Sequence, residues 1–173
     1  APQEGSRFAL LFYDRIYAPV PVRAGDEIPD WEDLRLGPQS VAYALRPGGH
    51  ALVIGGGGGR DIENALSGGQ RRVDVIELNR AIRETVDEDL REYSGAPYSL
   101  PGVEAVDGDG RSQLAARDTR YDVIHIGFTD TLSAASAQGF ALSEANLYTV
   151  EAFREYFDHL EPGGVLAVTR LHR

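Results

Sequence analysis

Five consecutive glycines, residues 55–59, stand between a short apolar segment and a helix-like segment. The first, third and fifth of them fit G-x-G-x-G. The dinucleotide-binding pattern G-x-G-x-x-G is not completed, because its last glycine would fall on Arg60 or Asp61. Glycine adopts positive φ and has no Cβ, so such a loop lets the backbone approach a ligand while amides at the helix start face it. A flexible hinge is the alternative, but the strand before and the helix after favour a ligand cradle.

Two carboxylates follow the glycines at intervals typical of nucleotide-binding α/β folds. Glu77 closes the next apolar segment, 22 residues after Gly55, where a carboxylate can accept from both hydroxyls of a ribose. Asp109, in "VDGDG", ends the third apolar segment and could accept from an adenine amino group. Each has a simpler interpretation, a solvated strand-end carboxylate for Glu77 and an Asp-Gly turn for Asp109. Together with the glycines they predict an adenosine pocket.

The predicted pocket makes no evident provision for phosphate. The chain has no P-loop and every one of its 17 basic residues is arginine. Asp61, just after the glycines, would repel a phosphate and suit a cation, or it could charge the N-terminus of the following helix. Adenosine with a positively charged tail fits this pattern, and S-adenosylmethionine is such a molecule.

Strands alternate with helices from residue 51 onward, which predicts βαβ units and a parallel sheet covered on both faces. We expect a three-layer α/β/α sandwich of Rossmann-like type, strand order 3-2-1-4-5, with the ligand between the first and fourth strands. The predicted strands are "ALVIG", "VDVIEL", "GVEAVDGDG", "YDVIHIGF" and "VLAVTRL", and the main helices are residues 60–67, 79–95, 111–117 and 149–160. Because the chain stops after the fifth strand, we expect an excised domain or a shortened fold.

The leading residues carry less information. Residues 7–17 fit a short helix or a strand, 18–38 are proline-rich, and "GPQSVAYALRPGG" predicts a helix stopped by its glycines. We therefore divide the chain into an N-terminal extension, 1–47, and a ligand-binding domain, 48–173.

Composition excludes several classes of function. Acidic residues outnumber basic ones by 27 to 17, and a net charge of −10 argues against a nucleic-acid partner. Without cysteine or lysine there is no disulfide, thiolate metal site, cysteine nucleophile or Schiff-base lysine. No metal-ligand spacing is evident among the histidines, and no segment is apolar enough to span a membrane. We read no signal peptide and expect a cytoplasmic chain, or the cytoplasmic domain of a membrane-attached parent.

Residues 48–170 resemble, in order, the spermidine synthase branch of class I S-adenosylmethionine-dependent transferases. Within that branch they are most similar to bacterial spermidine synthase-like proteins, many attached to membrane-spanning segments. The segments that carry the resemblance are "LVIGGGGGRD", "VDVIELN", "VDGDGRSQL", "YDVIHIGFTD" and "NLYTVEAFREYFDHLEPGGVLAV". The resemblance implies that residues 55–59 lie along the methionine portion of the cofactor, Glu77 on the ribose, and Asp109 with Gly110 at the adenine. The expected cofactor-binding residues are Gly55, Gly56, Gly57, Gly59, Asp61, Glu77, Leu78, Asp109 and Gly110.

The acceptor side departs from the family. Aminopropyltransferases have D-x-T-D-P after the fourth strand, where the first carboxylate orients and helps deprotonate the attacking amine. Here the segment is "GFTDT", with Gly127 at that position and Asp130 retained. Asp130 is our candidate catalytic residue, and Thr129, Asp130 and Tyr148 are the candidate substrate-binding residues. Asp130 could instead cap a loop or helix, and Tyr148 could instead be a hydrophobic staple for the helix that Thr149 caps.

Methyl transfer depends chiefly on alignment and water exclusion, so it could survive the loss of that carboxylate. We therefore expect a methyltransferase acting on a small-molecule acceptor, with aminopropyl transfer from decarboxylated S-adenosylmethionine as the alternative. A non-catalytic S-adenosylmethionine sensor is a third interpretation. His125 alternates with isoleucines in the fourth strand and is expected to pack in the core, with catalysis as its alternative. A homodimer is the assembly that we keep open.

Overall fold

A computed structural model describes residues 8–13, 16–21, 37–127 and 146–170, the first two ranges as backbone only. Its main feature is a five-stranded parallel sheet in the order β5-β4-β3-β6-β7. The strands are β3 (His50–Ile54), β4 (Arg72–Glu77), β5 (Val103–Asp107), β6 (Tyr121–Ile126) and β7 (Leu160–Val168). Numbered from β3, this is the predicted order 3-2-1-4-5, so the fold prediction is confirmed.

Alternating side chains along each strand build two separate cores. On β3, Ala51 and Val53 belong to one core, while Leu52 and Ile54 belong to the other. Such strands are buried on both faces, as parallel strands usually are. The sheet therefore has a helical layer on each side. The helices are α1 (Val41–Leu45), α2 (Arg60–Ser67), α3 (Arg80–Glu84), α4 (Arg91–Ser94), α5 (Gly110–Ala115) and α6 (Val150–Asp158).

The helix predicted over 79–95 is interrupted. Between α3 and α4 lies a π-helical turn, Thr85–Asp89, in which the Leu90 amide donates to the Thr85 carbonyl over five residues. The buried Asp87 in this turn accepts from the Tyr98 amide and the Ser99 hydroxyl. Periodicity predicted one continuous helix, because the spacing of apolar residues does not reveal the one extra residue that a π-helical turn contains.

Two other elements refine the sequence-based predictions. Residues 7–17 were ambiguous between helix and strand, and the structure has an antiparallel pair, β1 (Phe8–Tyr13) and β2 (Ile16–Pro21). The last strand begins at Leu160 rather than after the glycines, although its pairing with β6 is irregular until Val165 meets Val123. Among the described residues, no helix is long and apolar enough to cross a membrane.

Candidate functional site

The carboxyl ends of the central strands bring the candidate residues to one edge of the sheet. Ile54 ends β3 and leads into the glycines, Glu77 is the last residue of β4, and Gly127 follows β6. The Gly55 amide donates to the Ile76 carbonyl, and the Gly127 amide donates to the Ile54 carbonyl. This is the edge at which doubly wound sheets bind ligands.

The glycine loop has one defined backbone conformation in the structure. Gly55, Gly57 and Gly59 have φ values of 83°, 50° and 95°, a region that favours glycine. The Gly59 amide donates to the Gly56 carbonyl at 2.9 Å, which closes a tight turn directly before α2. Alternate glycines are thus required by the path of the chain, and the loop forms a shaped turn rather than an unstructured joint.

The peptide groups of Gly57 are held from both sides. Its amide donates to Glu77 Oε2 at 2.8 Å, and its carbonyl accepts from the Tyr98 hydroxyl at 2.7 Å. A Cβ on Gly56 would lie 2.8 Å from that hydroxyl oxygen, and a Cβ on Gly59 would overlap Pro97. The short helix Pro97–Ser99 therefore packs directly on the loop and fixes its shape.

Glu77 is a buried carboxylate that accepts hydrogen bonds from neutral groups. It is 6% exposed, and its Oε1 accepts from the Asn79 amide at 2.8 Å while its Oε2 accepts from Gly57. Burial raises the pKa of Glu77, the two amides oppose that rise, and the charge of Asp107 adds to it. Each carboxylate oxygen has two lone pairs, so Glu77 retains capacity to accept from ligand hydroxyls.

Asp107, at the end of β5, has a different partner. Its two oxygens accept from Arg83 Nε at 2.6 Å and from Arg83 Nη2 at 2.9 Å, a bidentate pair between β5 and α3. These hydrogen bonds hold the pKa of Asp107 below its usual value, against a smaller opposing effect of burial. This pair fixes α3 beside the end of the sheet.

The predicted adenine side is formed around the start of α5. Asp109 Oδ1 accepts from the Ser112 amide at 2.9 Å and from its hydroxyl at 2.8 Å, so Asp109 caps this helix. Gly110 packs so closely that a Cβ there would lie 2.5 Å from Ile54 Cγ2. Leu78, next to Glu77, is 38% exposed. The turn interpretation of Asp109 thus describes its structure, and a contact with adenine stays a prediction.

The carboxylate of Asp61 lies directly beside Gly127. Asp61 lies in the first turn of α2 and is 8% exposed. A Cβ on Gly127 would lie 2.6 Å from Asp61 Oδ2 and 3.0 Å from the Gly55 carbonyl oxygen. The carboxylate of Asp61 therefore occupies the space next to Gly127, between the glycine loop and the end of β6.

His125 packs in the core of the sheet. It is fully buried, with Nδ1 2.8 Å from the Tyr43 hydroxyl and Nε2 3.0 Å from the Thr169 hydroxyl. Burial lowers the pKa of His125, and the charge of Asp61 opposes that change. Because both ring nitrogens have protein partners, these contacts support the core interpretation rather than catalysis.

On the predicted acceptor side, the structure describes Tyr148 and the helix that follows it. Thr149 Oγ1 accepts from the Ala152 amide and caps α6, as the sequence predicted. Tyr148 packs near the same core as Phe153, in keeping with a staple, and the Arg170 guanidinium lies 4.2 Å from the centre of its ring. Thr129 and Asp130 lie outside the described residues. Within the described ranges, no group of three or more His, Asp or Glu side chains could hold a metal ion.

Comparisons with known proteins agree with this arrangement. No family model matches the chain. Polyamine aminopropyltransferase 2 of Pseudomonas aeruginosa is 33% identical over 121 residues, 69% of this chain and 33% of that protein. The chain spans about one third of the length of the curated relatives that it matches.

Two solved structures share the fold. Spermidine synthase from Thermotoga maritima matches with a TM-score of 0.59 at 19% identity, over 88% of this chain and 48% of that chain. An S-adenosylmethionine-dependent methyltransferase from Thiobacillus denitrificans, in complex with S-adenosyl-L-homocysteine, matches with a TM-score of 0.51 at 19% identity, over 84% of this chain and 51% of that chain. The chain has the class I methyltransferase fold, and it is similar to the spermidine synthase-like branch of that fold.

Several residues that shape the candidate site were not predicted from the sequence. Tyr98 and Pro97 contact the glycine loop, and Asp87 holds their segment in place. The segment precedes β5 and has no motif of its own, so only its packing reveals it. The sequence has an arginine, Arg83, one helix turn after Asn79. Its spacing did not indicate that it pairs with Asp107.

Proposed function

We propose that this chain forms the cofactor-binding part of a transferase that uses S-adenosylmethionine. The observation that carries the proposal is the clamp on Gly57, whose amide is held by Glu77 and whose carbonyl is held by Tyr98. This clamp places a largely buried glycine turn and a buried carboxylate side by side at one edge of the sheet. A nucleoside with an uncharged or cationic extension suits such a site.

In this proposal the ribose binds at Glu77 and the adenine lies between Leu78 and the start of α5. The free lone pairs of Glu77 accept from the ribose hydroxyls, and the exposed side chain of Leu78 offers an apolar surface to the base. Asp109 and Gly110 border the far side of the adenine. The remainder of the cofactor runs along the glycine loop toward Asp61 and Gly127.

The relatives support the cofactor class. The Thiobacillus denitrificans neighbour was solved with S-adenosyl-L-homocysteine, the product of methyl transfer, and has the same fold. Both cofactor forms, S-adenosylmethionine and its decarboxylated derivative, contain the adenosine and sulfonium that this pocket is proposed to accept.

Methyl transfer to a small acceptor is our first candidate reaction. Residue 127, where aminopropyltransferases have the carboxylate that orients the attacking amine, is glycine here. Methyl transfer requires the acceptor to be held in line with the sulfonium methyl in a site that excludes water, and it needs a base only for some acceptors. Asp130 is the proposed orienting or basic residue on the acceptor side.

Aminopropyl transfer is the second candidate, favoured by the 33% identity to polyamine aminopropyltransferase 2. The product distinguishes the two reactions, because methyl transfer releases S-adenosyl-L-homocysteine and aminopropyl transfer releases 5′-methylthioadenosine. The test incubates the protein with either cofactor form and a mixture of small amines, thiols and carboxylic acids, and identifies the released nucleoside by mass spectrometry. Release of neither product above a protein-free control would contradict the transferase assignment.

A further inference from the structure

The place beside Gly127 is filled by a side chain from another element. A Cβ at position 127 would lie 2.6 Å from Asp61 Oδ2, which is closer than real Cβ atoms approach a neighbour. Gly127 is itself buried and its amide donates to the Ile54 carbonyl, so the backbone there is fixed. A side chain at position 127 and the carboxylate of Asp61 therefore compete for one space.

Asp61 is incompletely satisfied for a carboxylate with so little exposure. It is 8% exposed, and its Oδ1 accepts from Asn64 Nδ2 at the long distance of 3.4 Å. Within the described part of the chain, no hydrogen bond reaches Oδ2 and no arginine or histidine forms an ion pair with Asp61. A carboxylate oxygen that has no protein donor can accept a hydrogen bond from a ligand.

The other atoms at this place have the same sign of charge. The Gly55 carbonyl oxygen lies 3.0 Å from the Cβ position of residue 127, which is also close to Asp61 Oδ2. Two oxygens that face a shared space disfavour an anion and favour a group that carries several N–H donors and a positive charge. An ammonium group has three such donors and no acceptor.

We propose that Asp61 binds an ammonium group of a ligand beside Gly127, and so supplies from α2 the carboxylate that a side chain at position 127 would otherwise supply. The inference rests on the proposed function, because the ammonium belongs either to the tail of the cofactor or to an amine acceptor. In both cases Gly127 is glycine because Asp61 already occupies its space.

Calorimetry on the whole chain with three probes tests this role. S-adenosyl-L-homocysteine carries an ammonium group on its tail. 5′-Methylthioadenosine has the same thioether nucleoside but no ammonium group. Putrescine, added to the complex with methylthioadenosine, represents an amine acceptor. Asp61→Asn keeps the shape of the side chain and removes its charge, so circular dichroism should show an unchanged fold. Binding of methylthioadenosine to the wild-type protein tests the proposed function alone, since this probe has no ammonium.

Asp61→Asn should weaken one ammonium-bearing probe by about tenfold or more, because a charge-assisted hydrogen bond is lost. Methylthioadenosine should change by less than about twofold, because it makes no such bond. A selective loss for S-adenosyl-L-homocysteine assigns the ammonium to the cofactor tail, and a selective loss for putrescine assigns it to the acceptor. Equal loss for all probes, or no loss for any, overturns the inference. If the wild-type protein binds none of the three, the proposed function fails and this inference fails with it.

An exchange of the two positions tests the shared space. Gly127→Asp alone would force two carboxylates together and should lower both the melting temperature and the affinity for the ammonium probe. Asp61→Gly alone should lower that affinity as Asp61→Asn does. The double variant Asp61→Gly with Gly127→Asp should bind the probe more tightly than either single variant. A double variant that is no better than the singles would contradict the idea that the two positions supply one carboxylate.

Discussion

Two buried carboxylates on the same strand have opposite surroundings. Asp74 and Glu77 are 3% and 6% exposed and lie three residues apart on β4. Asp74 has His50 Nε2 at 2.9 Å and accepts from Arg117 at 2.7 Å and from the Tyr121 hydroxyl at 3.0 Å. Glu77 accepts only neutral backbone amides among the described contacts. Asp74 is thus compensated within the protein, whereas Glu77 has capacity left for a ligand.

The titration of the two groups reflects this difference. Burial alone would raise the pKa of Asp74, but hydrogen bonds from His50 and Tyr121 and nearby positive charge outweigh it and lower the pKa. Burial raises the pKa of Glu77 against its amide partners. Ionisation of Asp74 therefore stabilises the folded protein, whereas ionisation of Glu77 destabilises it. A buried carboxylate that destabilises its own fold is a reasonable marker of a functional site.

One of the two largest expected losses of stability follows from removing the charge of Asp74. Asp74→Asn should lower the free energy of unfolding by about 3 kcal/mol, because it leaves Arg117 and His50, each mostly buried, without their anion. Urea denaturation measures this, with the exposed Asp89→Asn as a control that should change stability by less than about 0.5 kcal/mol. A change below that control's value would show that Asp74 is not structurally important.

The pH dependence has a definite sign for Asp74. Because its folded pKa is lowered, the stabilisation is present above the unfolded value of about 4 and is lost as the pH falls through the folded pKa. The wild-type protein should therefore lose stability in this acid range more steeply than Asp74→Asn. The raised pKa of Glu77 acts in the opposite direction, since its cost appears as the pH rises above about 4. Parallel curves for the two proteins would contradict the assignment to Asp74.

Two glycines at opposite edges of the sheet both have positive φ but different surroundings. Gly59, at the carboxyl edge, and Gly69, in the turn before β4, have similar φ values of 95° and 84°. A Cβ on Gly59 would overlap Pro97, whereas one on Gly69 would meet nothing within 4 Å. Gly69→Ala should cost about 1 kcal/mol from backbone strain alone, and Gly59→Ala about 3 kcal/mol from strain and overlap together. Equal losses in thermal denaturation would mean that the helix Pro97–Ser99 yields to the new methyl group.

The smallest expected effect compares two tyrosine hydroxyls. Tyr98→Phe removes the donor to the Gly57 carbonyl, and Tyr121→Phe removes a donor to Asp74. Each should lower stability by about 1 kcal/mol, the usual contribution of one hydrogen bond. Only Tyr98→Phe should also weaken the binding of S-adenosyl-L-homocysteine, because Tyr98 contacts the glycine loop and Tyr121 does not. Calorimetry that shows the same affinity for both variants would remove Tyr98 from the site.

The sequence predicted most of the framework because parallel βαβ units leave regular signals. The bounds of α2 followed from periodicity, and the positions of Gly55, Gly57 and Gly59 followed from the requirement of a tight turn for glycine. The strand order followed from the connection rules of doubly wound parallel sheets. The positive φ at these three glycines is the physical reason for the pattern. These features are local, so they can be read along the chain.

The contacts that complete the site are long-range and left no local signal. Tyr98 acts on a glycine 41 residues earlier, and Asp61 fills the space beside Gly127 from a different helix. The π turn that positions Asp87 is hidden in an otherwise helical pattern. Asp109 was predicted to contact adenine; in the structure it caps α5, and the contact with adenine stays a prediction.

The most direct test of the central claim is the binding of S-adenosylmethionine to the wild-type protein and to Glu77→Ala. Calorimetry should show binding by the wild-type protein and a loss of about 1–3 kcal/mol in the variant, because the ribose loses its buried carboxylate partner. Glu104→Ala, an exposed glutamate on the neighbouring strand, should bind as the wild-type protein does. Equal affinity for all three proteins, or no binding by the wild-type protein, would contradict the claim that this edge of the sheet is an adenosyl cofactor site.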